Sequence, residues 1–332
     1  MFVAKRIRSF IVVLMVLVLF TCQNPFVTLA NPTSTANLSF DFHNHAFHGQ
    51  KTGFNHWVNT YMVSTHTPHH NGYDMIFSKN DLQYIDAKFQ YGDFRKDLED
   101  EWISIYTWTF SDPQPAWKYL GRALTDSDGR IHYVLPKNLN VGVHLVKLFV
   151  EGDGTEANMY IQVLDKTSKY VVFDIDGTLT TDDFENIKAY ASELWNGSYQ
   201  PKAYNHAVDV VRFYAEQGYD ILYLSARPYW LSEKTQTWLV QKGFPRGMIH
   251  TYEGSEILSG SGAITYKLNY LKSIISKGVQ IDYAYGNAES DISAYYGAGL
   301  TGDRIFIIGE NAGLQNTTPI RTYGEHLLKL KQ

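Results

Sequence analysis

Cysteine is nearly missing from this 332-residue chain: Cys22 is the only one. A single thiol closes no internal disulfide, so its domains must rest on their hydrophobic cores. Cations are also in short supply, with 29 Lys and Arg against 34 Asp and Glu. That balance excludes a general nucleic-acid binder, which needs a cationic surface to meet phosphates. The overall field does not draw the chain to anionic membranes either, so any lipid contact must come from a local patch. A long apolar run is wanting too. Phe10 to Phe20 is unbroken but too short to cross a bilayer comfortably. No internal repeats are visible.

The start of the chain reads as an export signal. Lys5, Arg6 and Arg8 precede the apolar run, and Thr28-Leu29-Ala30 offers a cleavage site that leaves Asn31 first. A secreted or periplasmic protein is therefore expected. The alternatives are a lipoprotein acylated at Cys22 and an uncleaved N-terminal anchor. Removing residues 1–30 takes away three cations and no acid, leaving 26 cations against 34 acids and a net charge of −8.

Residues 31–71 are polar and rich in histidine: His43, His45, His48, His56, His66, His69 and His70. The expectation is a connector; a transition-metal site is the alternative, although no helical His-x-x-x-His pair or cysteine supports it. Residues 72–165 carry short apolar or alternating segments at Tyr84–Phe89, Trp102–Thr109, Trp117–Leu120, Ile131–Leu135, Gly142–Val150 and Met159–Leu164. Turn clusters such as Asp126-Ser127-Asp128-Gly129 separate them, the pattern of a small β-sandwich. Trp102, Trp108 and Trp117 are expected in its core.

From Lys169 the pattern becomes alternating strand and helix, which predicts a parallel sheet over residues 169–320 and a tail at 321–332. Expected strands are Tyr170–Asp174, Asp220–Leu224, Met248–His250, Asp282–Tyr285 and Arg304–Ile308. Expected helices are Tyr204–Gln217, Tyr229–Lys242, Ile264–Lys277 and Ala288–Tyr296.

Chemistry concentrates at the ends of these strands. Val171-Val172-Phe173 runs into Asp174-Ile175-Asp176-Gly177-Thr178, two acids one residue apart before a turn. At the fraying end of a strand both carboxylates can reach the crevice where open α/β sheets bind ligands. Such a pair suits Mg²⁺, and one member can attack phosphorus. Ser225-Ala226-Arg227 ends the next strand: a hydroxyl for a phosphoryl oxygen and a cation to clamp a phosphate. Lys267 near a helix start can neutralise charge on phosphorus. Asn287 and Asp291 follow another strand and can complete an octahedral oxygen shell. Each is weak alone, since serines and acids often cap helices and lysines usually face water. Four in succession at strand ends point to phosphoryl transfer.

The motifs DIDGT, LSAR, Lys267 and GNAESD resemble those of the haloacid dehalogenase superfamily. LYLSAR and YGNAESDISAY are similar to the lipin phosphatase pattern. WKYLGRALTDSDGRI and GVHLVKLFVEGDGT, running into VVFDIDGT, are similar to the C-terminal part of membrane-associated phosphatidylinositol transfer (retinal degeneration B) proteins. The resemblance covers about residues 75–320. It implies an α/β fold, a Rossmann-like parallel sheet without a large cap, behind a small β-sandwich.

The resemblance also implies roles. Asp174 would be the nucleophile and Asp176 the general acid and base. Ser225 and Lys267 would bind the phosphoryl group, with Thr178 and Arg227 as further substrate ligands. Asp174, Asp176, Asn287 and Asp291 would hold Mg²⁺. The implied substrate is phosphatidate at a membrane surface, hydrolysed to diacylglycerol and phosphate. The transfer-protein relatives lack the first aspartate and are expected to bind phosphatidate only; this chain keeps Asp174, as lipins do.

Spacing bears on substrate size. Asp176 to Ser225 leaves room for one excursion near Thr180–Gln200, and Ser225 to Lys267 is filled by two helices and a strand. An uncapped site suits a phosphate presented on something large. Phe184, Tyr190, Leu194, Trp195 and Tyr199 in the excursion can dip into a bilayer interface or pack on the sandwich. Rival readings are a broad soluble phosphomonoesterase, a non-catalytic phosphatidate or phosphoinositide binder, and a carbohydrate-binding or adhesion module. No nucleic-acid or protein partner is expected.

Overall fold

The computed structural model describes residues 38–181 and 201–332. The leader with Cys22, and the excursion bearing Phe184, Tyr190, Leu194, Trp195 and Tyr199, lie outside those residues.

Six parallel strands form the second half: β1 (Ser168–Phe173), β2 (Asp220–Pro228), β3 (Met248–Tyr252), β4 (Val279–Gly286), β5 (Ile305–Ile308) and β6 (Thr318–Ile320). Their order is β3-β2-β1-β4-β5-β6, with every neighbouring pair parallel. Helices α1 (Ala207–Glu216), α2 (Ser232–Lys242), α3 (Gly260–Ser276) and α4 (Glu289–Gly297) fill the crossovers, and α5 (Tyr323–Leu330) follows β6. The winding reverses at β1, between β2 and β4, so a crevice opens beyond its carboxyl end.

β1 is central because it has no polar face. Tyr170, Val171, Val172 and Phe173 are all fully buried, as a strand covered on both sides requires. Across β1, β4 and β5, Phe173 stacks on Tyr285 at 4.5 Å and Tyr285 on Phe306 at 4.9 Å. The Tyr285 hydroxyl meets Tyr214 of α1 at 2.7 Å and His326 of α5 at 2.8 Å, which satisfies its polar end inside the core. Burial pushes the His326 imidazole down to about 4. Residues 321–332, expected as a tail, thus contain a helix docked through Tyr323 and His326. Its N-cap Thr322 accepts from the Glu325 amide.

The first half is the expected β-sandwich. Its larger sheet runs, in spatial order, Met75–Ser78, Glu156–Leu164, Gly142–Val150, Trp102–Thr109 and Lys118–Leu124; the first pair is parallel and the others antiparallel. The smaller sheet holds Asn71–Gly72, Tyr84–Lys88 and Arg130–Val134. Strand Glu156–Leu164 shows how the halves join. Ala157, Met159, Ile161 and Val163 enter the sandwich core, while Tyr160 and Leu164, on the opposite face, enter the core of the α/β half. Gln162, on that same outward face, bonds Tyr170 and Asp220.

Two further contacts fix this junction. The Asp74 carboxylate accepts from the Tyr160 amide at 2.7 Å and the β3 amide of Ile249 at 2.8 Å. Burial raises this carboxyl to about 7, against the pull of those two amides. Phe40 and Phe42 stack at 5.5 Å and pack on Tyr160, with Phe40 also on Tyr223 of β2. The segment read as a polar connector therefore contributes to the core, and Trp57–Thr65 within it is helical. Its histidines go separate ways: His45 to Asp41 and a stack on Trp108, His56 to Asp100, His69 to Glu233, His70 to Thr155. Trp108 and Trp117 pack against the α/β-side core rather than inside the sandwich, and Trp102 lies under the Arg122 guanidinium.

Candidate active site

The loop after β1 is tied to itself. The amides of Leu179 and Thr180 both donate to the Ile175 carbonyl, at 2.8 and 2.9 Å, and the Gly177 amide donates to the Thr180 hydroxyl. Gly177 adopts φ +70°, and a Cβ there would lie 2.2 Å from the Asn287 amide nitrogen. No other residue fits both demands. From α5, the Tyr323 hydroxyl donates to the Thr178 carbonyl at 2.9 Å. This loop holds Asp174 and Asp176 at the crevice, both nearly buried.

Each acid has its own cation. Lys267, in the third turn of α3 and buried, reaches Asp174 at 2.6 Å and Asp291 at 2.5 Å. The other oxygen of Asp291 reaches back over the start of α4, accepting from the amides of Asn287 and Ala288 at 3.1 Å. The Thr178 hydroxyl lies 3.0 Å from Asp174 Oδ2 and 3.1 Å from Asn287 Oδ1 and can donate to either. Asp174, Asp176, Arg227, Lys267, Asn287 and Asp291 line one cavity of about 40 Å³. Thr178 and Ser225 touch it through the acids they bond. All eight residues picked from the sequence thus converge.

Arg227 sits differently from its expected place. It was expected to face a phosphate, but its Nε lies 2.9 and 3.1 Å from the two oxygens of Asp176 and its Nη2 lies 2.6 Å from one of them. The remaining Nη1 donates to Thr235 of α2 at 2.9 Å. The register between β2 and β3 breaks between Ser225 and Pro228, the stretch that carries Arg227. The Ser225 hydroxyl also points at Asp176, at 3.3 Å. Thr235 and Tyr323 were not picked from the sequence. Thr235 lies eight residues past Arg227 and Tyr323 far beyond the last motif, and only the fold brings them in.

Electrostatics follow from the count of charges. Asp174, Asp176 and Asp291 face Lys267 and Arg227, three acids against two cations. Burial raises the Asp174 carboxyl well above the usual range, with the Asp291 and Asp176 charges adding to the rise and the Lys267 charge and hydrogen bond working against it. Burial works to lower Lys267, but Asp174 and Asp291 more than offset it and hold the lysine charged. One lysine shared by two buried acids leaves an excess negative charge in the cavity. Among the described residues no group of three His, Cys, Asp or Glu side chains stands ready to hold a metal ion. The donor set still fits a hard divalent cation in chemistry, being oxygen throughout, and the uncompensated charge favours one.

Comparison with known proteins agrees with both halves. Residues 171–309 match the family model described as PITM 1-3, LNS2 domain, and residues 68–163 match PITM 1-3, beta-sandwich domain. Human membrane-associated phosphatidylinositol transfer protein 2 is 32% identical over 80% of this chain and 19% of its own length. Protein retinal degeneration B of Drosophila melanogaster is 32% identical over 79% of the chain and 20% of its own. Human membrane-associated phosphatidylinositol transfer protein 3 is 34% identical over 73% and 24%. The chain thus spans about a fifth to a quarter of the length of these relatives. A solved phospho-aspartyl intermediate analogue of phosphoserine phosphatase aligns with 50% of this chain and 99% of its own, at 15% identity and a TM-score of 0.34, too loosely to carry weight. By its two matched domains and these relatives, the chain belongs to the family of PITM 1-3 β-sandwich and LNS2 domains, an LNS2 domain being a haloacid dehalogenase-like α/β fold.

Proposed function

We propose that this site hydrolyses a phosphate monoester, with phosphatidate at a membrane surface as the substrate, through an aspartyl-phosphate at Asp174. The observation that carries the reading is the retained Asp174 carboxylate at the switch point, with Lys267 2.6 Å and Thr178 3.0 Å away. An Asp174 oxygen forms the new bond to phosphorus as the ester P–O bond breaks, and the leaving alkoxide takes a proton from Asp176. Water then gives a proton to Asp176 and attacks phosphorus, and the bond to Asp174 breaks. Lys267, Thr178 and Ser225 bind the phosphoryl oxygens. Asp174, the Asp176 carbonyl, Asn287 and Asp291 would hold Mg²⁺, which when bound supplies positive charge against the phosphate. Membrane association is in the names of the relatives, and it supports a lipid substrate here; export to the periplasm or medium is part of the same proposal.

The test is phosphate release from phosphatidate liposomes, with Mg²⁺ or EDTA, by wild type and Asp174→Asn. Loss of about 10³-fold or more in the variant is expected, because the nucleophile is gone. Equal release by both proteins sinks the assignment.

One observation favours a second reading, a module that binds phosphatidate without cleaving it. Both Asp176 oxygens already accept from Arg227, so proton transfer to a leaving group requires the guanidinium to give up one of them. Cosedimentation with phosphatidate liposomes without phosphate release identifies this outcome.

A further inference from the structure

A second cavity, of about 200 Å³, lies between the sandwich and the α/β half and shares no residue with the phosphoryl crevice. Its walls include Asn71 and Tyr73 from the sandwich edge, Asn158 from the strand that joins the halves, and Thr237 on α2. Four buried polar atoms on these walls have no hydrogen-bond partner: both amide atoms of Asn71, the Tyr73 hydroxyl and one oxygen of Asn158. Asn71 is only 3% exposed. Buried polar groups are normally satisfied, and leaving one unmet costs about 1–3 kcal/mol, so four on residues that line one cavity call for an occupant.

The charges around the cavity say which kind. Its acids are already engaged: Asp74 by two amides, Glu156 by Lys147, Glu233 by His69. Burial pushes the His70 and His250 imidazoles down to about 3, so these two of the three wall histidines are neutral; the third, His43, is exposed. A cationic ligand would find no free carboxylate, and an anionic one no lysine or arginine on the walls. The unmet groups are two amides and a phenol, which offer donors and acceptors side by side. Hydroxyl groups, each able to give and to accept, complement them. As for size, a cavity of about 150 Å³ accepts a bare benzene ring. About 200 Å³ accommodates a six-membered ring carrying hydroxyls.

We infer that this cavity is a binding site for a neutral polyhydroxylated ring of monosaccharide size, recognised by Asn71, Tyr73 and Asn158. The site is independent of phosphoryl chemistry. Its ligand meets the sandwich and the α/β half together.

Calorimetry and ligand-observed NMR on the full chain, with D-glucose, D-mannose and D-galactose as probes, test this. At least one hexose should bind one-to-one with Kd about 1 mM or tighter, and Asn71→Ala should weaken it about tenfold or more. The Asn71 side chain has no protein partner to lose, so the variant should fold as wild type. Thr237→Trp, at the exposed mouth, should block entry and is the decisive substitution if Asn71→Ala does not fold. Asp174→Asn should leave hexose binding unchanged. No hexose binding up to about 50 mM, or binding indifferent to the decisive substitution, overturns the assignment. So does binding of inorganic phosphate or ethanolamine in place of a hexose.

Discussion

Two of the cavities among the described residues are built on opposite principles. In the crevice beyond β1, the polar walls are charged and have met each other: Lys267 bridges Asp174 and Asp291, and Arg227 grips Asp176. In the cleft between the halves, the charged groups are satisfied elsewhere and the neutral ones are left over. The crevice is held by its own ion pairs, so substrate or cation must compete with contacts already made. The cleft offers groups with nothing to give up. Removing a wall residue should therefore be costly in the first and nearly free in the second.

The sharpest way to break that contrast is Lys267→Met. It strands two buried carboxylates, and breaking a buried pair by deleting one partner costs about 3–5 kcal/mol. Urea unfolding should show that loss; a shift within error would mean that the crevice is wetter and its ion pairs weaker than their burial indicates.

pH gives a second handle. Burial and Asp291 hold the Asp174 carboxyl above its unfolded value, so the folded chain keeps a proton that the unfolded chain has shed. Stability contributed in this way is present at low pH and lost as pH climbs from the ordinary carboxylate range toward neutrality. Without metal, Asp174→Asn should gain stability relative to wild type over that climb, and Mg²⁺ should shrink the difference. Asp74 is raised in the same sense in both proteins and cancels. A difference that stays flat with pH would contradict the charge excess.

The smallest effect belongs to the cleft. Asn71→Ala should change stability by less than about 1 kcal/mol, since no side-chain hydrogen bond is broken. A loss as large as that of Lys267→Met would erase the distinction between the two cavities.

What the sequence revealed depended on locality. The run into Asp174, the Ser225 and Asn287 strand ends and the Trp102–Thr109 and Gly142–Val150 strands are visible because burial and turn chemistry act over a few adjacent residues. Asp74 and Thr235 were invisible because their partners lie 175 and 8 residues away and no local pattern marks them. Arg227 was legible as a crevice residue, but its bond to Asp176 was not: spacing delivers a side chain to a crevice without naming the partner it meets there. Residues 31–71 read as a polar, His-rich connector and 321–332 as a tail, yet Phe40, Phe42 and Tyr323 anchor both stretches in the core. A few aromatic residues outweigh the average character of a segment.

The two-faced strand Glu156–Leu164 has a practical consequence. A fragment starting at Ser168 would strip Tyr160, Leu164, Phe40 and Phe42 from the α/β half and open Tyr170 and Tyr223, both fully buried, to solvent. Such a piece would carry every phosphoryl-site residue and still expose a sticky aromatic wall to its neighbours in solution. Aggregation of that fragment would thus report a missing cover, with the chemistry of its crevice left intact.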